Sequence, residues 1–151
     1  QWGVDGYGGM GPVMFVAQRP SMGGGEKGGS TLSAKAFRSF YESLTRHGYA
    51  SSHLTDLVKE RNTARRLTQE EVDRNCPFLQ QEISVVEPTV IVALGRDVLD
   101  YVAARIERLV PLWRMTHYAW RFDKGSPVGE AFERDLMRLK AVLQTQHRGL
   151  S

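Results

Sequence analysis

One cysteine among 151 residues excludes an internal disulfide framework and any site built only from this chain's thiolates, and it suits a reducing compartment. No apolar run approaches the roughly 20 residues that cross a bilayer, and nothing has the build of a signal peptide. Charge of one sign is also scarce. Twenty basic against 17 acidic residues leave a formal +3, which permits a polyanionic partner without pointing to one. These shortages predict a soluble, cytoplasmic protein. The abrupt start at Gln1 leaves room for a trimmed N-terminal segment. What is present, 41% hydrophobic and 25% charged residues, is the composition of one globular domain able to bury a core.

Glycine is plentiful but sits in the wrong places for the familiar phosphate motifs. Gly6, Gly8 and Gly11 spell G-x-G-x-x-G, yet that pattern must follow a strand, and here it precedes one. Residues 1–11 are therefore expected to be a flexible lead-in. The glycine-rich stretch 22–29 lacks the Gly-Lys-Ser/Thr of a P-loop before a helix. It does lie at the carboxyl end of a strand, where open α/β sheets place ligands.

Periodicity separates strands from helices. Residues 12–17 (PVMFVA) and 89–94 (TVIVAL) are short apolar runs of the kind a parallel sheet buries on both faces, and 52–58 (SHLTDLV) and 112–116 (LWRMT) are weaker strands. Between them, 32–47 carries Leu32, Ala36, Phe37, Phe40 and Leu44 at helical spacing, with Gly48 as its stop. Thr68 with Glu71 three residues on is a capping box that opens a helix to about Glu87, where Pro88 ends it. Cys76 falls on that helix's apolar stripe and is expected to be a small buried hydrophobe. Residues 97–109 and 129–144 complete the set. The alternation β-α-β-α-β-α-β-α predicts an α/β fold. Right-handed crossovers then bring all four strand ends to one rim, where Gln18, Asp56 and His117 can share a cleft.

Two rim features suggest chemistry. Asp56 near the end of the second strand is costly to bury without a partner, so it is a site residue or a loop cap. The following KERNTARR places Lys59, Arg61, Arg65 and Arg66 within eight residues, a solvated loop or a set of phosphate contacts.

The segments TDLVKERN and LTQEEVDRNCPFLQQEISVVEPTVIVALGRDVL resemble the uracil-DNA glycosylase superfamily, most closely its family-4 type, which reads approximately TNVVKCRPP and PTPEEIAACRPFLERQIELIKPKVIVALG. The resemblance extends over nearly the whole chain. FVAQRPS lines up with the family's first motif, and MTHYAW with the second, usually His-Pro-Ser. The resemblance implies a three-layer α/β/α fold with a four-stranded parallel sheet and a monomeric enzyme of base excision repair. Such an enzyme flips a modified base out of double- or single-stranded DNA and hydrolyses its N-glycosidic bond. It further implies that His117 donates to the departing base oxygen, that Gln18, Arg19 and Pro20 lie at the base pocket with Asp56, and that Tyr118, Trp120 and Arg121 belong to the loop that wedges into DNA.

Three departures from the pattern carry consequences. Arg19 stands where many members position water with Asp or Asn, although the family-4 type itself has Ala there, and a cation is no base. Of the iron–sulfur ligands only Cys76 is kept, with Glu60 in place of another, so no cluster and no other cofactor is expected. Asp56 replaces the asparagine that reads uracil. An ionised carboxylate only accepts hydrogen bonds, so either Asp56 is protonated or the pocket prefers an edge with two donors, as guanine offers at N1 and N2. Two functions stay open: a monofunctional DNA glycosylase, and a catalytically inactive module of the same fold that binds nucleic acid or nucleotide.

Overall fold

The computed structural model describes residues 3–20, 40–61, 66–115 and 127–149. Along the chain these form β1 (Val13–Ala17), α1 (described over 40–46), β2 (His53–Asp56), α2 (Gln69–Val86), β3 (Val90–Leu94), α3 (Arg96–Arg105), β4 (Leu112–Met115) and α4 (Pro127–Gly149). The four strands are all parallel, in the order β2-β1-β3-β4. β1 and β3 are the inner pair. Every residue of both is buried, which is why they read as unbroken apolar runs rather than alternating ones.

Alternate residues of those strands feed two separate cores. Val13, Phe15, Val90, Val92 and Leu94 pack with Phe40 and Leu44 of α1 and with Phe132, Leu136 and Leu139 of α4. Met14, Val16, Ile91 and Ala93 meet Val72, Leu79 and Val86 of α2 and Val98 and Val102 of α3. The result is the three-layer α/β/α arrangement. The order reverses between β1 and β3, which makes the carboxyl end of that pair the crevice where open sheets bind ligands.

Local chemistry explains where elements stop. α1 ends in a Schellman motif: Tyr49 N–H donates to the Leu44 carbonyl at 2.7 Å and Gly48 N–H to Thr45. Gly48, at φ 86°, takes the left-handed position that motif needs. The capping box at the start of α2 is complete, with the Thr68 hydroxyl accepting from Glu71 N–H and the Glu71 carboxylate accepting from Thr68 N–H. Pro77 lies inside α2 on its exposed side, where the carbonyl it leaves unpaired can meet water. α3 is shorter than its expected 97–109, because Ile106 turns extended, buries its side chain and donates its N–H to Val102. α4 is longer than 129–144, with Pro127 as its first residue, a position where the missing N–H costs nothing.

The segment ahead of β1, expected as a flexible lead-in, is instead tied down. Asp5 N–H donates to Ala50 and Gly11 N–H to Ser51, both at 2.8 Å, and Gly6–Gly8 form one 3-10 turn beside β2. A Cβ on Gly9 would lie 2.1 Å from the Ser52 carbonyl oxygen. Glycine is needed there for close packing, whereas its composition alone suggested mobility.

Candidate functional site

The rim at the carboxyl end of the sheet is built from the segments that leave β1 and β2. Ala17 and Asp56 are register partners, and the pairing runs on past both strands: Leu57 N–H donates to Ala17 at 2.8 Å and Val58 N–H to Gln18 at 3.1 Å. Gln18 and Asp56 are thereby held on adjacent strand ends.

Asp56 is only 9% exposed. The Tyr7 hydroxyl, arriving from the segment before β1, donates to its Oδ2. Burial pushes the Asp56 carboxyl above the usual carboxylate range, opposed by that hydrogen bond and by the charges of Lys59 and Arg61. Burial likewise raises the Tyr7 phenol, and the adjacent carboxylate adds to the effect.

Behind Asp56, on the α2 face, lies a second polar group that the sequence reading missed. Glu82 of α2 pairs with His53 Nε2 at 2.8 Å and with Lys59 Nζ, and His53 Nδ1 lies 3.1 Å from the Gly9 carbonyl. Lys59 also donates to Thr55 Oγ1 at 2.6 Å and to the Asp56 carbonyl. Burial works to raise the Glu82 carboxyl, but the hydrogen bonds from His53, Lys59 and Thr55 outweigh it and hold Glu82 below its ordinary value. Lys59, expected on DNA phosphates, is therefore turned inward to close the buried edge of β2. A readable signal did exist: residues 71, 75, 79, 82 and 86 share one helical stripe, and Glu71, Asn75 and Glu82 interrupt its apolar character. Asn75 is buried, accepts from Lys59 N–H at 3.0 Å and donates to the Glu71 carbonyl, which fixes the turn after β2.

Arg19 is also engaged within the protein. Its guanidinium reaches both oxygens of Glu71, at 3.2 and 3.1 Å, and the Arg66 carbonyl at 3.2 Å. The Arg19 side chain is 6% exposed, and its Nε is the one buried polar side-chain atom among the described residues without a partner. Its fork ties the loop after β1, where a base was expected beside Arg19, to the start of α2. Hydrogen bonds from Arg19, then from Thr68 N–H, bring the Glu71 carboxyl down to about 2 from 4.5.

A depressed carboxyl contributes stability that is fully present above its unfolded value and is lost as pH falls through the folded one. The Arg19–Glu71 pair should therefore weaken between about pH 4.5 and about pH 2. In thermal melts across that window, Glu71→Gln, which keeps a capping acceptor, is expected to lower Tm at pH 7 and to flatten the acid decline. Parallel curves for the two proteins would refute the assignment.

Of the remaining expected contacts, Pro20 is half-buried beside Arg19, and Arg61 and Arg66 are exposed at the rim. Arg65, His117, Tyr118, Trp120 and Arg121, like the glycine-rich stretch 22–29, lie outside the described residues. Two positions of the iron–sulfur pattern are described. Glu60 is held by Arg74 through two 2.8 Å contacts, and the thiol of half-buried Cys76 is pushed up by burial.

A profile of the Uracil DNA glycosylase superfamily matches residues 7–147, which takes in every strand and nearly all of the helical structure. The chain belongs to this superfamily. Its parallel sheet and flanking helices are the superfamily's layered fold, and membership points to a DNA glycosylase-type function with DNA as the substrate class. No individual curated protein matches the chain. No helix among the described residues is long and apolar enough to cross a membrane.

Proposed function

We propose that this superfamily member hydrolyses the N-glycosidic bond of a modified base flipped out of DNA, and that Asp56 reads the base edge. The observation that carries the proposal is a carboxyl buried at the end of β2, beside Gln18, in the place of the family's base-reading asparagine. In the proposed reaction, water attacks C1′ of the sugar as the glycosidic bond breaks and its electron pair leaves with the base. His117 donates a hydrogen bond to the base oxygen that gains the charge, and the water's proton passes to solvent or to the departing base. Exposed Arg61 and Arg66 suit phosphate contacts, and the protein acts as a monomer on intracellular DNA.

The test is release of free base from oligonucleotides carrying uracil, hypoxanthine, xanthine or guanine, single- and double-stranded. Wild type is expected to favour the base whose edge presents two donors. Asp56→Asn should shift preference toward uracil by about tenfold or more, the scale of one mispaired buried polar contact. Uracil preferred by wild type and unchanged in the variant would rule out reading by Asp56.

One observation favours a second reading, a binding module without turnover. Arg19 occupies the place where many members position the attacking water, and it is held there by Glu71. Binding without release of any base in the same assay would select this reading.

A further inference from the structure

We propose that Tyr7 is a specificity-determining positioning residue: by donating to Oδ2 of Asp56 it keeps that carboxyl an acceptor toward the base. The inference rests on Asp56 being the base reader and goes beyond it, because it assigns the control of that reader to a residue 49 positions away in sequence.

The geometry has three parts. First, Tyr7 is the one hydrogen-bond partner of the Asp56 carboxyl among the described residues, and its hydroxyl can only donate to an ionised oxygen. Second, Tyr7 is anchored from behind. Its ring meets His53 edge-on at 6.3 Å between centroids, His53 is pinned by Gly9 and Glu82, and Gly9 packs against Ser52 too closely for any side chain. Third, the Tyr7 ring forms one wall of an open groove of about 430 Å³ shared with Met10, Phe78 and Val85, so its hydroxyl reaches Asp56 from the outer edge of β2.

The consequence is a choice of base that depends on proton uptake. With Asp56 ionised, both oxygens accept, and an edge with two donors is matched. Once Asp56 takes a proton, one carboxyl oxygen becomes a donor while the other still accepts, and a uracil-like edge, with a carbonyl beside an N–H, is matched instead. Removing the phenol donor takes away a bond to the charged form and favours the proton. The other groups acting on Asp56 are Tyr41 from α1, Glu82 from α2, and Lys59 and Arg61 from the loop after β2. None of these is altered by Tyr7→Phe.

The experiment measures binding by fluorescence anisotropy, so it does not require turnover. Two single-stranded oligonucleotides differing at one position, guanine or uracil, are titrated with wild type, Tyr7→Phe, Asp56→Asn and the double variant from pH 5 to 9. For wild type the guanine-to-uracil affinity ratio should fall as pH is lowered. In Tyr7→Phe the midpoint of that fall should move up by roughly one pH unit. With Asp56→Asn the ratio should be flat, and adding Tyr7→Phe should change nothing further. Replacing Tyr7 by 3-fluorotyrosine, a stronger donor that keeps every contact, should move the midpoint down and decides the matter if the phenylalanine variant folds poorly. An unmoved midpoint in both Tyr7 variants, with a flat ratio in Asp56→Asn, overturns the role of Tyr7 and leaves the Asp56 reading intact. A wild-type ratio that Asp56→Asn does not alter, or no binding to either oligonucleotide, overturns both.

Discussion

His117→Ala is expected to slow base release by about 10²–10³-fold, the cost of removing one donor aimed at a developing oxyanion. The base departs with the bonding electron pair, and most of that charge settles on a carbonyl oxygen. A donor held in a water-poor pocket stabilises the charge far more than water does, because no solvent has to reorganise as it forms. The histidine stands two residues beyond Met115, the last residue of β4, where the proposed reaction needs its donor. Oligonucleotide affinity and thermal stability should change little, since the interaction matters mainly in the transition state. Single-turnover release by the two proteins provides the check: equal rates would remove His117 from the reaction.

Phe15→Ala is expected to cost about 3–5 kcal/mol, a large share of the roughly 5–15 kcal/mol typical of a domain. Phe15 is 1% exposed at the middle of β1, paired in register with Leu54 of β2 and Val92 of β3. Its ring packs edge-on against Phe40 and Tyr49, with centroids 6.5 and 6.1 Å away. Truncation would remove those contacts and leave a cavity that two hydrogen-bonded neighbouring strands cannot collapse to fill. A denaturant titration should show the loss, and a thermal melt a Tm lower by roughly 10 °C. Val85→Ala on the outer side of α2, at 70% exposure, should stay within about 0.5 kcal/mol of wild type. Equal stability for both variants would mean that β1 is not the central strand of the core.

The contrast between Thr68 and Arg19 marks how far local sequence reaches. The capping box depends on a separation of three residues, so its spacing announces it, and both of its bonds are present. The same Glu71 carboxylate also holds Arg19 from 52 residues away, and no local pattern encodes that contact. Cys76 illustrates the middle case. Helical spacing put it on the apolar stripe, and it packs beside the α2–α3 core while remaining half-buried. Tyr7 was the least legible, because a glycine-rich surround has the composition of a mobile lead-in whether it is loose or packed as tightly as Gly9 against Ser52.

By itself, then, the sequence determined the parallel α/β class, the strands and helices to within a few residues at most ends, and the superfamily. Those properties rest on short-range physics: period-two and period-3.6 burial, caps and stops a few residues apart, and motifs contiguous in the chain. Only the tertiary structure decided what the rim's charged residues do. Arg19 was expected at the base pocket and Lys59 on phosphate, and the fold sets carboxylates of α2 against both. A buried cation must find a partner, and whether that partner is protein or ligand depends on which elements the sheet order brings together.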